Sequence, residues 1–154
     1  MEIERKFLVP TAPDGLGAHP STAIEQGYLA IDGDGTEVRI RRRDGASTMT
    51  VKSGGGRTRA EEELPLDDAT FERLWPLTDG RRIEKVRHVI PTGTPGVEIE
   101  LDTYRGDLDG LVVAEVEFAS EAAADAWAPP AWLGDEVTTD ERYKNHRLAL
   151  DGAP

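Results

Sequence analysis

The chain has 154 residues, contains no cysteine and carries a formal net charge of -12 at neutral pH. This length is typical of one domain with a buried core, and we predict a single domain spanning residues 1–154. The lack of cysteine excludes disulfides and thiolate metal sites, and we expect a cytoplasmic location. The acidic excess disfavours nucleic acid and anionic membranes as partners, and no apolar stretch approaches the ~20 residues that cross a bilayer. A small anionic ligand stays compatible, because a net charge does not reveal a local basic lining.

The first nine residues alternate between apolar and charged side chains, as a β-strand does. Ile3 and Phe7 fall on one face. The other face carries Glu2, Glu4 and Lys6. Taken alone, a solvated edge strand is the simpler explanation. The alternative is a site in which the carboxylates bind a hard divalent cation and the lysine faces an anion, and it gains weight if other strands repeat the pattern.

Seven more segments follow a two-residue repeat and predict strands at residues 22–31, 36–43, 47–53, 57–64, 82–90, 96–104 and 111–118. Nearly all have one apolar face and one face that mixes Glu or Asp with Lys or Arg. In the second of these segments, Arg39 and Arg41 share one face. Val38 and Ile40 share the other. Arg42 interrupts the alternation, and we attribute this to fraying at the end of the strand.

Three short helices are predicted at residues 68–75, 121–127 and 141–150, each preceded by an Asp or Ser that can cap it. Water-facing strand positions usually mix in Thr, Ser, Gln and Lys, so in-phase Arg and Glu on successive strands indicate an interior face. Eight antiparallel strands suffice to close a barrel around one small ligand. We therefore predict an α+β, mainly β fold: an eight-stranded antiparallel barrel or tunnel with a charged interior, covered on its outside by the helices. Such charges need partners, and a polyanion with its metal would supply them.

The charged and polar residues also form a series of motifs in a fixed order. They are Glu2-x-Glu4-x-Lys6, Gln26-Gly27-Tyr28-Leu29, Arg39-x-Arg41, Lys52, Glu61-x-Glu63, Lys85-x-Arg87, Glu98-x-Glu100-x-Asp102, Glu115-x-Glu117 and Asp140-x-Arg142-Tyr143-x-Asn145. From Met1 to Ala149, the series resembles the CYTH superfamily, or triphosphate tunnel metalloenzymes, and most closely its short bacterial single-domain members. The resemblance implies an eight-stranded antiparallel tunnel, dependence on a divalent metal and substrates that carry a triphosphate.

The resemblance also implies roles for individual side chains. Mg²⁺ or Mn²⁺ would be bound directly or through neighbours by the carboxylates of Glu2, Glu4, Glu61, Glu63, Glu100, Asp102, Glu115 and Glu117. Phosphate oxygens would be bound by Lys6, Arg39, Arg41, Lys52, Arg59, Lys85, Arg87 and Lys144. Catalytic roles are implied for Tyr28, Lys85 and Glu63, with a water polarised by metal and carboxylate as the nucleophile. Two alternatives stay open: Tyr28 as a tunnel-wall aromatic, and Lys144 as a solvated helix residue.

Three classes of function are compatible with these residues. The first is hydrolysis of a triphosphate, with inorganic triphosphate expected before thiamine or nucleoside triphosphates because nothing outside the tunnel indicates recognition of an organic group. The second is nucleotide cyclisation, as in class IV-type adenylyl cyclases. The third is a non-catalytic polyphosphate-binding module, which the intact carboxylate motifs disfavour. The expected partner is the small anionic substrate, and homodimeric assembly is left open.

Overall fold

A computed structural model describes residues 3–53 and 60–154 of the chain. Its strands are β1 (Ile3–Leu8), β2 (Ser21–Ile31), β3 (Glu37–Arg43), β4 (Ala46–Ser53), β5 (Ala60–Leu66), β6 (Arg82–Pro91), β7 (Glu98–Arg105) and β8 (Val112–Phe118). Within these residues all eight predicted strands are found, with ends that differ by a few residues; residues 1, 2 and 57–59 of the predicted strands lie outside the described part of the chain.

The helices are α1 (Asp68–Leu74), α2 (Glu121–Ala126) and α3 (Asn145–Asp151). Caps form as predicted on α1 and α2, where Asp67 and Ser120 accept hydrogen bonds from backbone N–H groups. The last segment is not one continuous helix as predicted, because a 3₁₀ turn at Glu141–Tyr143 precedes α3. In the part of the chain that the structure describes, no helix is both long and apolar enough to cross a membrane.

The strands form one antiparallel sheet in the order β1-β8-β7-β6-β2-β3-β4-β5. The predicted eight-stranded, mainly β fold is confirmed, but no ladder joins the edge strands β1 and β5 within residues 3–53 and 60–154. The reason that the sheet stays open lies at the edge of β1 that does not pair with β8. There the Leu8 N–H donates to the Asp135 carbonyl at 2.9 Å, and the Val137 N–H donates to the Lys6 carbonyl at 2.8 Å. This later segment covers the edge of β1, so the sheet stays open between its two edges.

The register places the predicted charged side chains on one face of the sheet, which we call the inner face. Opposed residues on this face include Lys6 and Glu115, Arg87 and Asp102, Gln26 and Arg41, and Lys52 and Glu61. Directly opposed residues of an antiparallel pair point to the same side, so this face continues from strand to strand. The common phase predicted from the alternation is therefore confirmed across the sheet.

The outer face is apolar and is covered by α2 and the chain that follows it. Its buried cluster contains Val9, Ile90, Ile99, Leu101, Ala114, Val116, Phe118 and Ala124. The Trp127 ring contributes further contacts, with its centroid 5.6 Å from that of Phe118 and 6.2 Å from that of Phe7. Arg5 fixes the end of the helix, since its Nη1 donates to the Ala124 and Trp127 carbonyls at 3.0 and 3.1 Å. The predicted covering of the outside by helices is confirmed here.

Arg42 links the outer face to α1. Its guanidinium lies 4.4 Å from the ring centroid of Phe71 and forms ion pairs with Glu25 and Glu72. Because β3 continues to Arg43, the prediction that the strand frays at Arg42 is wrong. A cation occupies this outward position because an aromatic ring and two carboxylates of neighbouring elements contact it.

The third helix does not lie outside the sheet as predicted. Leu148 and Ala149 pack with Tyr28, Ile83 and Tyr104 in a second buried cluster. The register assigns these last three residues to the inner face. One end of the inner face is therefore apolar, and α3 covers it.

Gly27 allows the 3₁₀ turn Trp75–Thr78 to lie against β2. A Cβ at this position would lie 2.6 Å from both Cβ and Oγ1 of Thr78, which is fully buried. We expect Gly27→Ala to lower the free energy of unfolding by about 1–3 kcal/mol, since an added methyl group overpacks the contact. Urea unfolding followed by circular dichroism measures this change.

Gly33→Ala is the matched control for this prediction. No atom lies within 4 Å of a Cβ built there. We expect its unfolding free energy to change by less than about 1 kcal/mol. Equal unfolding midpoints for Gly27→Ala and the parent would show that the short distance between Gly27 and Thr78 does not require glycine.

Candidate active site

A buried ionic cluster joins β6 and β7 on the inner face. Asp102, which has no exposed surface, accepts a hydrogen bond from Lys85 Nζ at 2.8 Å. Nε and Nη2 of Arg87 donate to the two oxygens of the same carboxylate at 2.7 and 2.9 Å. Arg87 also forms an ion pair with Glu100. The bidentate and charge-assisted bonds hold both cations in fixed orientations.

Burial and charge have opposite effects on the pKa of Asp102. Burial alone would raise it, but the hydrogen bonds and charges of Arg87 and Lys85 outweigh burial and hold it below its ordinary value. For Lys85, burial is the stronger influence and lowers the pKa, although the charge of Asp102 opposes this. Asp102 is therefore ionised at neutral pH, and its charge favours the charged form of Lys85.

Gln26 joins Arg41 and Tyr28 within the same face. Arg41 Nε donates to Gln26 Oε1, and Gln26 Nε2 donates to the Tyr28 hydroxyl oxygen, both at 2.8 Å. Burial raises the pKa of Tyr28 to about 12, so the phenol keeps its proton at neutral pH. Burial lowers the pKa of Arg41, and the like charges of Arg39 and Arg87 lower it further. Arg41 still stays charged, as arginines do, so repulsion among these guanidinium groups favours an anion between them.

Arg39 contributes a buried donor that lacks an acceptor. Its Nε is shielded from solvent and makes no hydrogen bond within residues 3–53 and 60–154. The ion pair to Glu37 is long, with 3.8 Å between Nη1 and the carboxylate. Because an unsatisfied buried donor is destabilising, an oxygen of a bound anion would be stabilising here.

Two cavities open on the inner face near opposite ends of β3. The smaller, of about 280 Å³, is lined by residues that include Tyr28, Glu37, Arg39, Lys52, Lys144 and His146. The larger, of about 600 Å³, is lined by residues that include Arg41, Arg43, Arg87, Glu98, Glu100 and Glu117. The larger cavity is bounded by both β3 and β8, between which three strands lie in the sheet order. The sheet therefore curves around the inner face.

Carboxylates on β1, β7 and β8 have the chemistry of a site for a hard cation, although of Glu4, Glu100, Glu115 and Glu117 only Glu100 and Glu117 line the larger cavity. Glu4 lies opposite Glu117, and Glu100 lies opposite Glu115, on the inner face of β1, β8 and β7. Oxygen donors of this kind suit Mg²⁺ and Mn²⁺. Among the described residues, no three Asp, Glu or His side chains form a complete metal site by themselves. Since Mg²⁺ often binds through one or two carboxylates together with substrate phosphates, the donor set fits a metal shared with a phosphorylated substrate.

Other predicted residues also reach the inner face. Lys6 lies 3.4 Å from the Glu115 carboxylate, and its Nζ donates to the Tyr143 carbonyl at 3.3 Å. Glu61 and Glu63 lie on the edge strand β5, where both are exposed. These two carboxylates thus border the opening of the sheet.

Lys144 precedes α3 and lines the smaller cavity, with its ammonium group 2.7 Å from Glu141. Its side chain is about half exposed, so both the mouth-capping role and the solvated role are compatible with its position. Glu2 and Arg59, predicted as a metal ligand and a phosphate ligand, lie outside the described residues.

Sequence reasoning gave no site role to several residues that line the cavities or contact the predicted groups: Gln26, Glu37, Arg43, Glu98, Asn145 and His146. Four of them share the phase of the predicted residues on their strands, so alternation alone could have found them. The position of Asn145 and His146 depends on where α3 packs. Burial lowers the pKa of His146, and the charge of Lys144 acts in the same direction, while Glu37 opposes them.

Comparisons with known proteins agree with this geometry. The CYTH domain model matches residues 1–147. The chain is 51% identical over 152 residues to the inorganic triphosphatase of Nitrosomonas europaea, with 97% of each chain covered. It is 36% identical over 154 residues to the inorganic triphosphatase of Acetivibrio thermocellus, covering 96% of this chain and 92% of that one. The crystal structure of the inorganic triphosphatase NE1496 superposes with a TM-score of 0.85 at 45% identity, covering 100% of this chain and 97% of that one. The curved sheet, its charged inner face and these full-length matches show that this chain belongs to the CYTH domain family.

Proposed function

We propose that this chain hydrolyses inorganic triphosphate to diphosphate and phosphate with the help of a divalent cation. The observation that carries the proposal is the set of oriented cations on the inner face: Lys85 and Arg87 held by Asp102, Arg41 held by Gln26, and Arg39 with a buried donor that lacks an acceptor. Two relatives that match along nearly their whole length are named inorganic triphosphatases, which supports the same assignment.

The cations would act by binding the substrate and stabilising its transition state. Phosphoryl transfer spreads negative charge over the equatorial oxygens of the transferred group, so fixed donors lower the barrier. Arg39 and Arg41 can each contact two oxygens, Arg87 offers the N–H groups that Asp102 and Glu100 leave, and Lys85 acts as a point charge. Because Asp102 and Gln26 already hold three of these four groups, little reorientation accompanies binding.

The metal would be held by Glu4, Glu115 and Glu117, together with Glu2. When bound, Mg²⁺ or Mn²⁺ would neutralise phosphate charge and lower the pKa of a nucleophilic water. We assign Asp102 and Glu100 a different role from the first-strand carboxylates, since both already contact the cations of β6. These two orient Lys85 and Arg87 rather than bind the metal directly.

Three residues would act close to the reacting bond. Tyr28 stays a neutral phenol at neutral pH and can donate a hydrogen bond to a phosphate oxygen. Lys85, which is buried and lines neither cavity, would stabilise the same phosphate group through its charge. Glu63, exposed on the edge strand β5, would accept a proton from the attacking water.

We expect inorganic triphosphate to have a higher kcat/KM than ATP, thiamine triphosphate or diphosphate. The described cations recognise phosphate oxygens, and an adenosine or thiamine group adds bulk without matching contacts. Diphosphate is one phosphoryl group shorter than triphosphate, so it cannot interact with all the cations of the inner face at once. The measurement is phosphate release at fixed free Mg²⁺ or Mn²⁺, with cyclic nucleotide assayed in parallel and EDTA as the metal-free control.

Different results would favour different functions. A higher kcat/KM for ATP, or cyclic AMP among the products, would favour the nucleotide-handling enzymes of this superfamily. Binding of triphosphate without release of phosphate under any metal condition would favour the polyphosphate-binding module.

A further inference from the structure

Gln26 is a neutral residue at the centre of a charged face. Only 1% of its surface is exposed, and each end of its amide has one partner. Oε1 accepts from Arg41 Nε at 2.8 Å, and Nε2 donates to the Tyr28 hydroxyl oxygen at 2.8 Å. Both partners belong to the proposed site, yet Gln26 itself reaches neither of the two cavities described above.

The chemistry of Arg41 fixes which way this amide points. A guanidinium group has only donors, so the atom that faces it must be the amide oxygen. The amide nitrogen then faces Tyr28 and donates to its hydroxyl oxygen. The Tyr28 hydrogen consequently points away from Gln26, and it is available to an acceptor on the inner face.

A neutral acceptor also preserves the charge of Arg41. Glutamate at this position would have almost the same shape, but its carboxylate would form an ion pair and cancel that charge. A carboxylate also has no donor, so Tyr28 would have to donate to it. Glutamine therefore holds both groups while leaving the positive charge and the phenol hydrogen for a ligand.

We propose that Gln26 is a positioning residue that orients Arg41 and turns the Tyr28 hydroxyl toward the phosphate oxygens of the bound substrate. This inference rests on the proposed function, because it takes the triphosphate as the anion bound on the inner face. It assigns no contact between Gln26 and the substrate.

Gln26→Glu tests the proposal. We expect its affinity for triphosphate to be about 10-fold to 100-fold weaker than that of the parent, since one charge-assisted contact and one directed donor are lost. Isothermal titration calorimetry in EDTA measures the affinity without turnover. The control is Glu25→Gln, a single charge change at a neighbouring residue that contacts Arg42 rather than the inner face. It should bind and turn over triphosphate as the parent does.

Gln26→Met provides a second test in case the buried carboxylate prevents folding. Methionine is similar in size to glutamine, and it leaves Arg41 charged but without the hydrogen-bond acceptor that orients it. We therefore expect a smaller loss of affinity for triphosphate than in Gln26→Glu. Gln26→Met should lower kcat less in a Tyr28→Phe background than in the parent. Part of its effect in the parent acts through the Tyr28 hydroxyl group, which Tyr28→Phe has already removed. A purely structural role would lower kcat equally in both backgrounds.

The outcomes separate this inference from the proposed function. If the parent hydrolyses triphosphate and Gln26→Glu binds it equally well, the positioning role is wrong and the function stands. Equal losses of affinity in Gln26→Glu and Gln26→Met would contradict the charge argument. If the parent neither binds nor hydrolyses triphosphate, the proposed function fails and this inference fails with it.

Discussion

Replacing Glu4 by glutamine is expected to lower kcat/KM for triphosphate by at least about 100-fold at saturating Mg²⁺, because a ligand charge to the metal is worth several kcal/mol. The substitution keeps the shape of the side chain and removes its charge. Glu4 is exposed and lies opposite Glu117 on the inner face, so the amide stays in contact with water. The unfolding free energy should therefore change by less than about 1 kcal/mol.

Glu62→Gln is a matched control for this experiment. Glu62 is exposed on β5 and lies opposite Val51, on the face away from Glu61 and Glu63. The same chemical change should leave kcat/KM and its dependence on Mg²⁺ unaltered. Parental activity in Glu4→Gln, measured by phosphate release over a Mg²⁺ titration, would remove the first strand from the metal site.

Much of the fold could be predicted because a strand has a two-residue period that the sequence displays directly. Arg39 and Arg41 alternate with Val38 and Ile40, and the register confirms that the charged pair shares the inner face. The order of the strands could not be predicted in this way. Alternation is a local property, whereas the pairing of β1 with β8 joins residues that are far apart in the chain.

The opening of the sheet and the place of α3 depend on contacts that leave no periodic signal. Residues 135–137 have no strand pattern, yet their backbone covers β1. On the inner face, Ile83 and Val113 are apolar positions among charged neighbours. Their burial needs a cover, and the amphipathic pattern of α3 does not reveal which side of the sheet provides the partner.

The site shows the same division between local and long-range information. Asp102 shares its phase with Glu100, so the sequence groups both as carboxylates near the metal. Only the ladder between β6 and β7 shows that Asp102 lies opposite Arg87. Gln26 shares the phase of Tyr28 but has no charge, so its contact with Arg41 becomes evident only from the pairing of β2 with β3.

The same pairing predicts a large stability effect. Asp102→Asn should lower the free energy of unfolding of the metal-free protein by about 3–5 kcal/mol, because it leaves buried cations without their counter-charge. Lys85 and Arg87 both contact the fully buried carboxylate. Asp79→Asn is the control, since Asp79 is 89% exposed and lies 4.0 Å from Arg82. That change should alter stability by less than about 1 kcal/mol, measured for both variants by urea unfolding in EDTA.

The pH dependence of this loss distinguishes charge from packing. The pKa of Asp102 in the folded protein lies below its ordinary value, because Arg87 and Lys85 outweigh the effect of burial. A lowered pKa means that the carboxylate contributes its full stabilisation above the unfolded-state value near 4 and loses it as the pH falls through the folded-state value. The difference between the parent and Asp102→Asn should therefore be complete at neutral pH and shrink below about pH 4. A difference that stays constant into this acid range would assign the loss to the packing of the side chain, and the ionic contacts with Lys85 and Arg87 would then contribute little to the stability of the fold.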